Sequence, residues 1–346
     1  MVSFTRFVRD LTLIYPLGGH FAPGNIHDNS GAGKVVNSDP GASVAVLLCL
    51  FDGARFLRSQ LESFERQAHR NWFLFASDDG SADEGMTILR AFQEKHGCGR
   101  ITIQNGPGRG FVSNFLSLIC QPDVSADYYA FSDQDDVWEE DKLSRALAWL
   151  SGIPRGTPAV YGSRTSLINP DGRKVALSPL FRKPPSFSNA LVQNIAGGNT
   201  MVFNEAARQL FIKAGGVVDV PSHDWWLYLL TTASGGSVHY DPYCSVQYRR
   251  HERNLVGWNI GVVARVQRAR MLVQGRFKRW TDQNIAALEG FRPHMTAENR
   301  LTFDRFCEAR KQGLIARVRG VHRSGVYRQT VLGSIGLTIG AILNRI

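Results

Sequence analysis

The chain has 346 residues, of which 43% are hydrophobic and 10% aromatic, which supports a substantial buried core in one or two domains and excludes a disordered or fibrous chain. Its formal net charge is +10, but residues 261–346 hold 16 Lys/Arg against 5 Asp/Glu, so the basic character belongs to the C-terminal quarter and not to the whole surface. The five cysteines stand singly with no Cys-x-x-Cys pair, which argues against a disulfide framework or a structural zinc site and favours a reducing compartment.

In chain order, the apolar stretch Leu11 to Leu17 is short, contains Pro16 and follows Arg9 and Asp10. That is a poor signal-peptide pattern, and no export is expected. Residues 18–41 are rich in Gly, Asn, Asp, Ser and Pro without apolar periodicity, so residues 1–41 are expected to be an unstructured extension. A folded domain is expected over residues 42–260. Ser43 to Leu50 is a continuous apolar run, and Phe56, Leu57, Leu61 and Phe64 then recur at helical spacing. Trp72 to Ala76 reads as a strand, Ser81-Ala82-Asp83-Glu84 as a capping box, and Met86 to Lys95 as the helix it opens. Arg100 to Gln104 predicts a third strand, Ser113 to Cys120 a helix, Tyr128 to Phe131 a fourth strand, and Glu139 to Leu150 a helix. Asn169-Pro170-Asp171-Gly172 predicts a turn between two short strands, and Pro184-Pro185 a break before a helix near Ala190. The alternation implies an α/β fold with a mostly parallel sheet, helices on both faces, and ligand sites beyond the carboxyl ends of the strands.

Residues 261–346 read as a basic helical extension ending in the uncharged apolar run Val331 to Leu343. Thirteen residues are too few for a membrane span, which needs about 20. Two readings stay open for residues 311–346: peripheral contact with a membrane surface, or a terminal helix docked on the catalytic domain with a solvated basic face. The expected location is cytoplasmic, at the inner face of the cell membrane on the first reading.

The candidate chemistry clusters at predicted strand ends. Asp133-Gln134-Asp135-Asp136 places three carboxylates in four residues, which repel one another unless a cation joins them. Mg²⁺ or Mn²⁺ suits such oxygen ligands and shares its shell with substrate phosphates; a solvated acidic turn capping the next helix is the alternative. Asp78-Asp79-Gly80-Ser81 forms a second acidic turn in the same sheet, and the pair of turns suits a nucleoside and its diphosphate. The loop Asn105 to Gly110, with Arg109, leads into the helix holding Asn114 and could bring amides and a guanidinium to phosphate or base. Gly197-Gly198-Asn199 permits close backbone approach to a ligand. His223-Asp224-Trp225-Trp226 opens a helix: Asp224 is a candidate general base for an acceptor hydroxyl, and Trp225 and Trp226 offer rings on which an acceptor sugar could stack. His251 could complete a metal shell through a neutral imidazole, a surface histidine in a basic stretch being the more common alternative.

These residues, in this order, resemble family-2 glycosyltransferases, inverting enzymes of the GT-A fold. The resemblance rests on Ser43 to Gly53, Asp78 to Ser81, the Asn105 to Asn114 loop, Phe131 to Trp138, Gly197 to Asn199 and His223-Asp224-Trp225. It covers roughly residues 42 to 257. The Asp133 to Trp138 form, with His223-Asp224-Trp225 and the late Tyr327-Arg328-Gln329-Thr330, is similar to the rhamnosyltransferase branch of O-antigen or capsule assembly. The resemblance implies nucleoside contact by Asp78 and Asp79, a donor near Arg109, Asn114 and Gly198, and a metal and nucleotide site at Asp133 and Asp135. It also implies Asp224 as catalytic base and His251 beside the metal. Phe51-Asp52-Gly53 departs from the family's usual Tyr-Asn-Gly. The implied partners are a nucleotide-diphosphate sugar, best matched by dTDP-L-rhamnose, and a glycan or lipid-linked acceptor; no nucleic acid is expected. Nucleotidyl transfer and a non-enzymatic basic membrane or nucleic-acid adaptor are the competing readings.

Overall fold

The computed structural model describes residues 41–251 and 270–346. The expectation for the N-terminal extension falls, except for Gly41, outside the described residues. The first half alternates as the sequence predicts: β1 (Val44–Leu50), α1 (Ala54–Glu65), β2 (Trp72–Asp78), α2 (Gly85–His96), β3 (Ile101–Asn105), α3 (Phe111–Ile119) and β4 (Tyr128–Ser132). These four strands are parallel, in the order β3-β2-β1-β4. Every residue of β1 is buried, because its alternate side chains enter two different cores. Ala45, Leu47 and Cys49 face one, and Val44, Val46, Leu48 and Leu50 the other, the pattern of a strand covered by helices on both sides.

The second half is mixed. After β5 (Val137–Trp138) and α4 (Lys142–Leu150) come β6 (Ala159–Ile168), β7 (Lys174–Leu177), α5 (Phe187–Ala190), β8 (Val202–Asn204), α6 (Glu205–Ala214), α7 (His223–Ala233) and β9 (Ser237–Arg249). The sheet continues as β4-β8-β6-β9-β5, with β7 paired to β6. β8 is antiparallel to β4 and β6, while β6 and β9 run parallel over ten registered positions. The predicted Asn169 to Gly172 turn closes the β6–β7 hairpin, where the Asn169 amide donates to the Arg173 carbonyl at 2.9 Å.

Two local predictions are corrected. α4 begins at Lys142, not Glu139, because Val137 and Trp138 pair with β9 and hold the chain extended. Ser81 does not cap α2: the residue before that helix is Glu84, with no side-chain cap, and the Ser81 hydroxyl donates to Asp78 Oδ1 at 2.5 Å.

α8 (Arg276–Phe291), α9 (Ala297–Lys311), α10 (Leu314–Arg323) and α11 (Val331–Ile342) follow. Leu288, Phe291, Phe303, Phe306, Val321 and Ala341 belong to the same core cluster as Phe131 and Trp226. The C-terminal helices are therefore packed on the sheet domain. No described helix is long and apolar enough to cross a membrane.

Candidate active site

Parallel pairing brings the carboxyl ends of β1, β2 and β3 level, with Leu50 opposite Asp78 and Asp78 opposite Asn105. The loops leaving these ends are tied to one another. Asp52 has φ 48°, a left-handed conformation that Asn and Asp adopt more readily than most residues. Its carboxylate accepts from the Ala82 amide at 2.8 Å, while its own amide donates to Ser81 Oγ at 3.0 Å. Gln134 reaches across from the acidic turn, accepting from the Phe51 amide and donating to the Phe51 carbonyl at 2.8 and 2.9 Å.

Asp78 and Asp79 are each 8% exposed and both organise backbone. Asp78 accepts from the Ser81 amide and hydroxyl. Asp79 accepts from the Gly108 and Gly110 amides, both at 2.7 Å, and so shapes the loop that carries Arg109. Asn114 is fully engaged inside: Ser77 Oγ donates to its Oδ1 at 2.6 Å and its Nδ2 donates to the Ser77 carbonyl at 3.0 Å. With 1% exposure it positions the loop from within and does not face a ligand. A Cβ at Gly106 would lie 2.6 Å from Asn114 Oδ1 and 2.8 Å from Asp79 Oδ1, so this loop packs on the two side chains without room for a methyl group. Arg109 is exposed at its tip.

The acidic turn divides its three carboxylates. Asp136 is fully buried; it accepts from Asn199 Nδ2 and, at 3.0 Å, from the Arg249 amide. It thereby fastens the end of β9 and the glycine turn before β8 to the end of β4. Asp135 Oδ2 lies in hydrogen-bond contact with His251 Nε2 at 2.6 Å. Its carbonyl accepts from Arg249 Nε at 2.9 Å. Asp133 has its pKa pushed up to about 7 by burial, then by the charges of Asp135 and Asp224, against a smaller opposing effect of Lys142. Asp224, 91 residues away in sequence from Asp133, thus contributes its charge to the same site.

Asp224 lies in the first turn of α7. Gly198 donates its amide to Asp224 Oδ2 at 2.9 Å and Trp225 donates its own to Oδ1 at 2.7 Å, leaving lone pairs on both oxygens for a hydroxyl proton. A Cβ at Gly198 would stand 2.6 Å from His223 Nε2 and 3.2 Å from Asp224 Cβ. Gly198→Ala is therefore expected to displace Asp224 and lower turnover by at least about tenfold while the fold persists; comparison of kcat with circular dichroism checks this.

Trp225 and Trp226 do not offer the sugar-stacking surface expected for them. Trp226 is completely buried and Trp225 nearly so, with Trp225 Nε1 donating to the Ala190 carbonyl at 2.7 Å. Both rings are drawn inward because α7 is buried over ten of its eleven residues. Gly198 likewise is buried and binds Asp224 rather than standing open to a ligand.

Two buried groups escaped the sequence reading. Lys142 is wholly buried, with Nζ 3.3 Å from the Trp138 ring centroid. Burial pushes its pKa well below the usual value, while the carboxylates of Asp136 and Asp133 pull the other way. His223 stacks on Phe115 at 3.8 Å and meets the edge of Phe131 at 4.6 Å. Neither ring nitrogen has a hydrogen-bond partner among the described residues, and burial lowers its pKa from 6.5 to about 4. A folded pKa below the unfolded one means that stability is present above pH 6.5 and is lost as pH falls toward 4, by on the order of 3 kcal/mol. Denaturant titrations of wild type and His223→Gln across this window should show the difference narrowing at the acid end.

Among the described residues no three His, Cys, Asp or Glu side chains form a preassembled metal cluster, so Asp133, Asp135 and His251 are not a closed three-ligand cage. The donor set nevertheless fits a hard divalent cation: two carboxylates whose repulsion raises Asp133, and an imidazole already on one of them.

The chain matches the model of Glycosyl transferase family 2 over residues 45–211. That match spans just under half of the chain and makes it similar to the glycosyltransferases of that family. The matched segment runs from β1 to α6, containing the acidic turn and Gly198 and stopping short of Asp224. The chain is 28% identical over 229 residues to the dTDP-rhamnosyl transferase RfbG of Shigella flexneri, covering 64% of this chain and 77% of that protein. It is 25% identical over 162 residues to Protein CgeD of Bacillus subtilis, covering 45% and 36% respectively. Among solved structures it superposes on residues 1–349 of Staphylococcus aureus TarS with TM-score 0.51 and 12% identity, covering 88% of both chains. GalNAc-T7 with UDP, GalNAc and Mn²⁺ gives TM-score 0.50 and 12% identity over 83% of this chain and 55% of that one. These likenesses establish the GT-A fold.

Proposed function

We propose that the chain is an inverting, metal-dependent glycosyltransferase that moves L-rhamnose from a dTDP donor to a hydroxyl of a glycan or lipid-linked acceptor in cell-surface polysaccharide assembly. The single observation that carries the reading is the link of Asp224 to the acidic turn through the Gly198-Asn199 turn, whose Gly198 amide binds Asp224 and whose Asn199 side chain binds Asp136, with Asp224 held by two backbone amides. The choice of donor follows the dTDP-rhamnosyl transferase relative.

Asp78 and Asp79 flank the nucleoside, with Arg109 free to approach the diphosphate from the loop that Asp79 shapes. Asn114 contributes by holding that loop. Asp133, Asp135 and His251 would hold Mg²⁺ or Mn²⁺; GalNAc-T7 was crystallised with Mn²⁺ and UDP. Such a cation, when bound, neutralises charge on the departing diphosphate. Asp224 takes the proton of the acceptor hydroxyl as its oxygen attacks the anomeric carbon, and the fixed amides keep the carboxylate aimed without reorganisation. The site is cytoplasmic, and residues 311–346 make peripheral contact with the inner face of the cell membrane.

Screening nucleotide sugars for nucleoside-diphosphate release, with and without Mn²⁺ or Mg²⁺, tests this. dTDP-L-rhamnose with metal should give the fastest release. Faster turnover of another sugar would reassign the donor, and pyrophosphate release would indicate nucleotidyl transfer.

A further inference from the structure

α10 and α11 present a surface that the transfer chemistry leaves unused. From Lys311 to Ile346 the chain carries six Lys/Arg and no Asp or Glu. The two helices run antiparallel, with His322 Nε2 3.3 Å from Thr338 Oγ1 and Arg317 Nε donating to the Ala341 carbonyl at 2.6 Å. The inward side of α11 is small: Gly340 and Ala341 are its buried residues. Its outward side is Val331, Leu332 and Ile335, continued by Ile342 and Leu343 at the end of the helix, with exposures of 75%, 62%, 49%, 47% and 50%. At about 100° per residue these five lie within one arc of roughly 120°, a continuous apolar stripe. Arg319 and Arg323 are exposed on α10, as is Arg345 beyond α11.

A large exposed apolar stripe marks an interface, and charge selects its occupant. A second copy would bring the same acid-free, cationic segment against this one, whereas anionic headgroups complement it. The helix is twelve residues long, suited to lying in the interface and not to crossing it.

The segment before α11 joins this surface to the site. Gln329 Nε2 donates to the Lys183 carbonyl at 3.0 Å, and the Gln329 amide donates to Gln193 Oε1 at 2.9 Å. Arg328 Nη1 donates to the Val192 carbonyl at 2.8 Å, and Asn189 Nδ2 to the Tyr327 carbonyl at 2.9 Å. The segment so held, residues 183–193, includes α5 and carries Ala190, the partner of Trp225 beside Asp224.

We propose that the apolar stripe of α11 seats this protein on an anionic lipid surface, and that the Tyr327–Gln329 strap fixes the segment of residues 183–193 relative to that surface. That the segment so fixed lies beside a catalytic base, Asp224, rests on the transferase reading; the lipid contact does not.

Flotation of the full chain with phosphatidylcholine vesicles, with and without phosphatidylglycerol, tests the contact. Wild type should float with the anionic vesicles, less so at high salt. The double variant Leu332→Asn/Ile335→Asn should bind at least about tenfold more weakly, with unchanged circular dichroism and unchanged dTDP release in solution. Equal flotation on neutral vesicles, or undiminished flotation of the double variant, would overturn the assignment. So would a wild-type dimer in sedimentation that this variant dissociates while neither form binds vesicles. Hydrogen exchange across residues 183–193 should slow on anionic vesicles in wild type and not in Gln329→Ala; no slowing would overturn the role of the strap. Flotation without release of any nucleoside diphosphate would leave the lipid contact standing and remove the transferase reading.

Discussion

Asp224→Asn is expected to lower turnover by roughly 10²–10⁴-fold, the contribution of a positioned general base, while leaving the affinity for dTDP intact. Both oxygens of the native carboxylate accept a backbone amide, from Gly198 and from Trp225. An asparagine supplies one acceptor oxygen, so one amide meets an NH₂ group, at a stability cost of about 1–3 kcal/mol. The variant must therefore be assayed well below its melting temperature, with kcat and dTDP affinity measured together. Loss of turnover with intact nucleotide binding identifies a group acting on the acceptor. Wild-type turnover in the variant would remove Asp224 from the reaction, and loss of both would make it a donor-binding residue.

Asp133→Asn should separate stability from activity. In the metal-free protein the Asp133 pKa is raised from 3.8 to about 7, so the folded state resists ionising it. The contribution is absent below pH 3.8 and grows more unfavourable as pH rises to 7, reaching a few kcal/mol at most. At pH 8 in chelator the Asn variant should therefore unfold at a higher denaturant concentration than wild type, and the two should converge near pH 4. Mn²⁺ should stabilise wild type and not the variant, because binding to the native state alone raises its stability. Activity should be lost throughout. A variant less stable than wild type at pH 8 without metal would show that Asp133 is structural. The His223 effect has the opposite slope across nearly the same range, so each is read as a difference between variant and wild type.

The parallel half of the fold is legible because β1 is a seven-residue apolar run followed by helically spaced Leu57, Leu61 and Phe64, and such periodicity is local information. The long β6–β9 pairing and the two-residue β5 are not, since their partners lie far apart in sequence and strand β5 exists only through β9. Among the candidate site residues, Asp133, Asp135, His251 and Asp224 stand out as chemically costly groups at element ends, and all four fall in or beside the acidic turn. What the sequence hides is direction. Nothing local to His223-Asp224-Trp225-Trp226 says that both indoles turn inward while the carboxylate stays at the site. Asp136 reads like its neighbours but is a buried bracket for Asn199 and Arg249. Ser81 fits a helix cap, yet a nearer acceptor, Asp78, takes its hydroxyl. Lys142 carries a signal that could have been used: a lysine at the first helical residue after an acidic turn, where the helix dipole disfavours a cation and burial beside carboxylates gives the reason.

On the proposed reading, the acidic turn holds the donor while Asp224 activates the acceptor hydroxyl in a single displacement. Time-resolved proton NMR of wild type with dTDP-L-rhamnose and Mn²⁺, water serving as acceptor, reads the anomer of rhamnose formed first. Asp224 acting as base predicts the configuration opposite to that of the donor, appearing before mutarotation; a first product that retains the donor's configuration would contradict it.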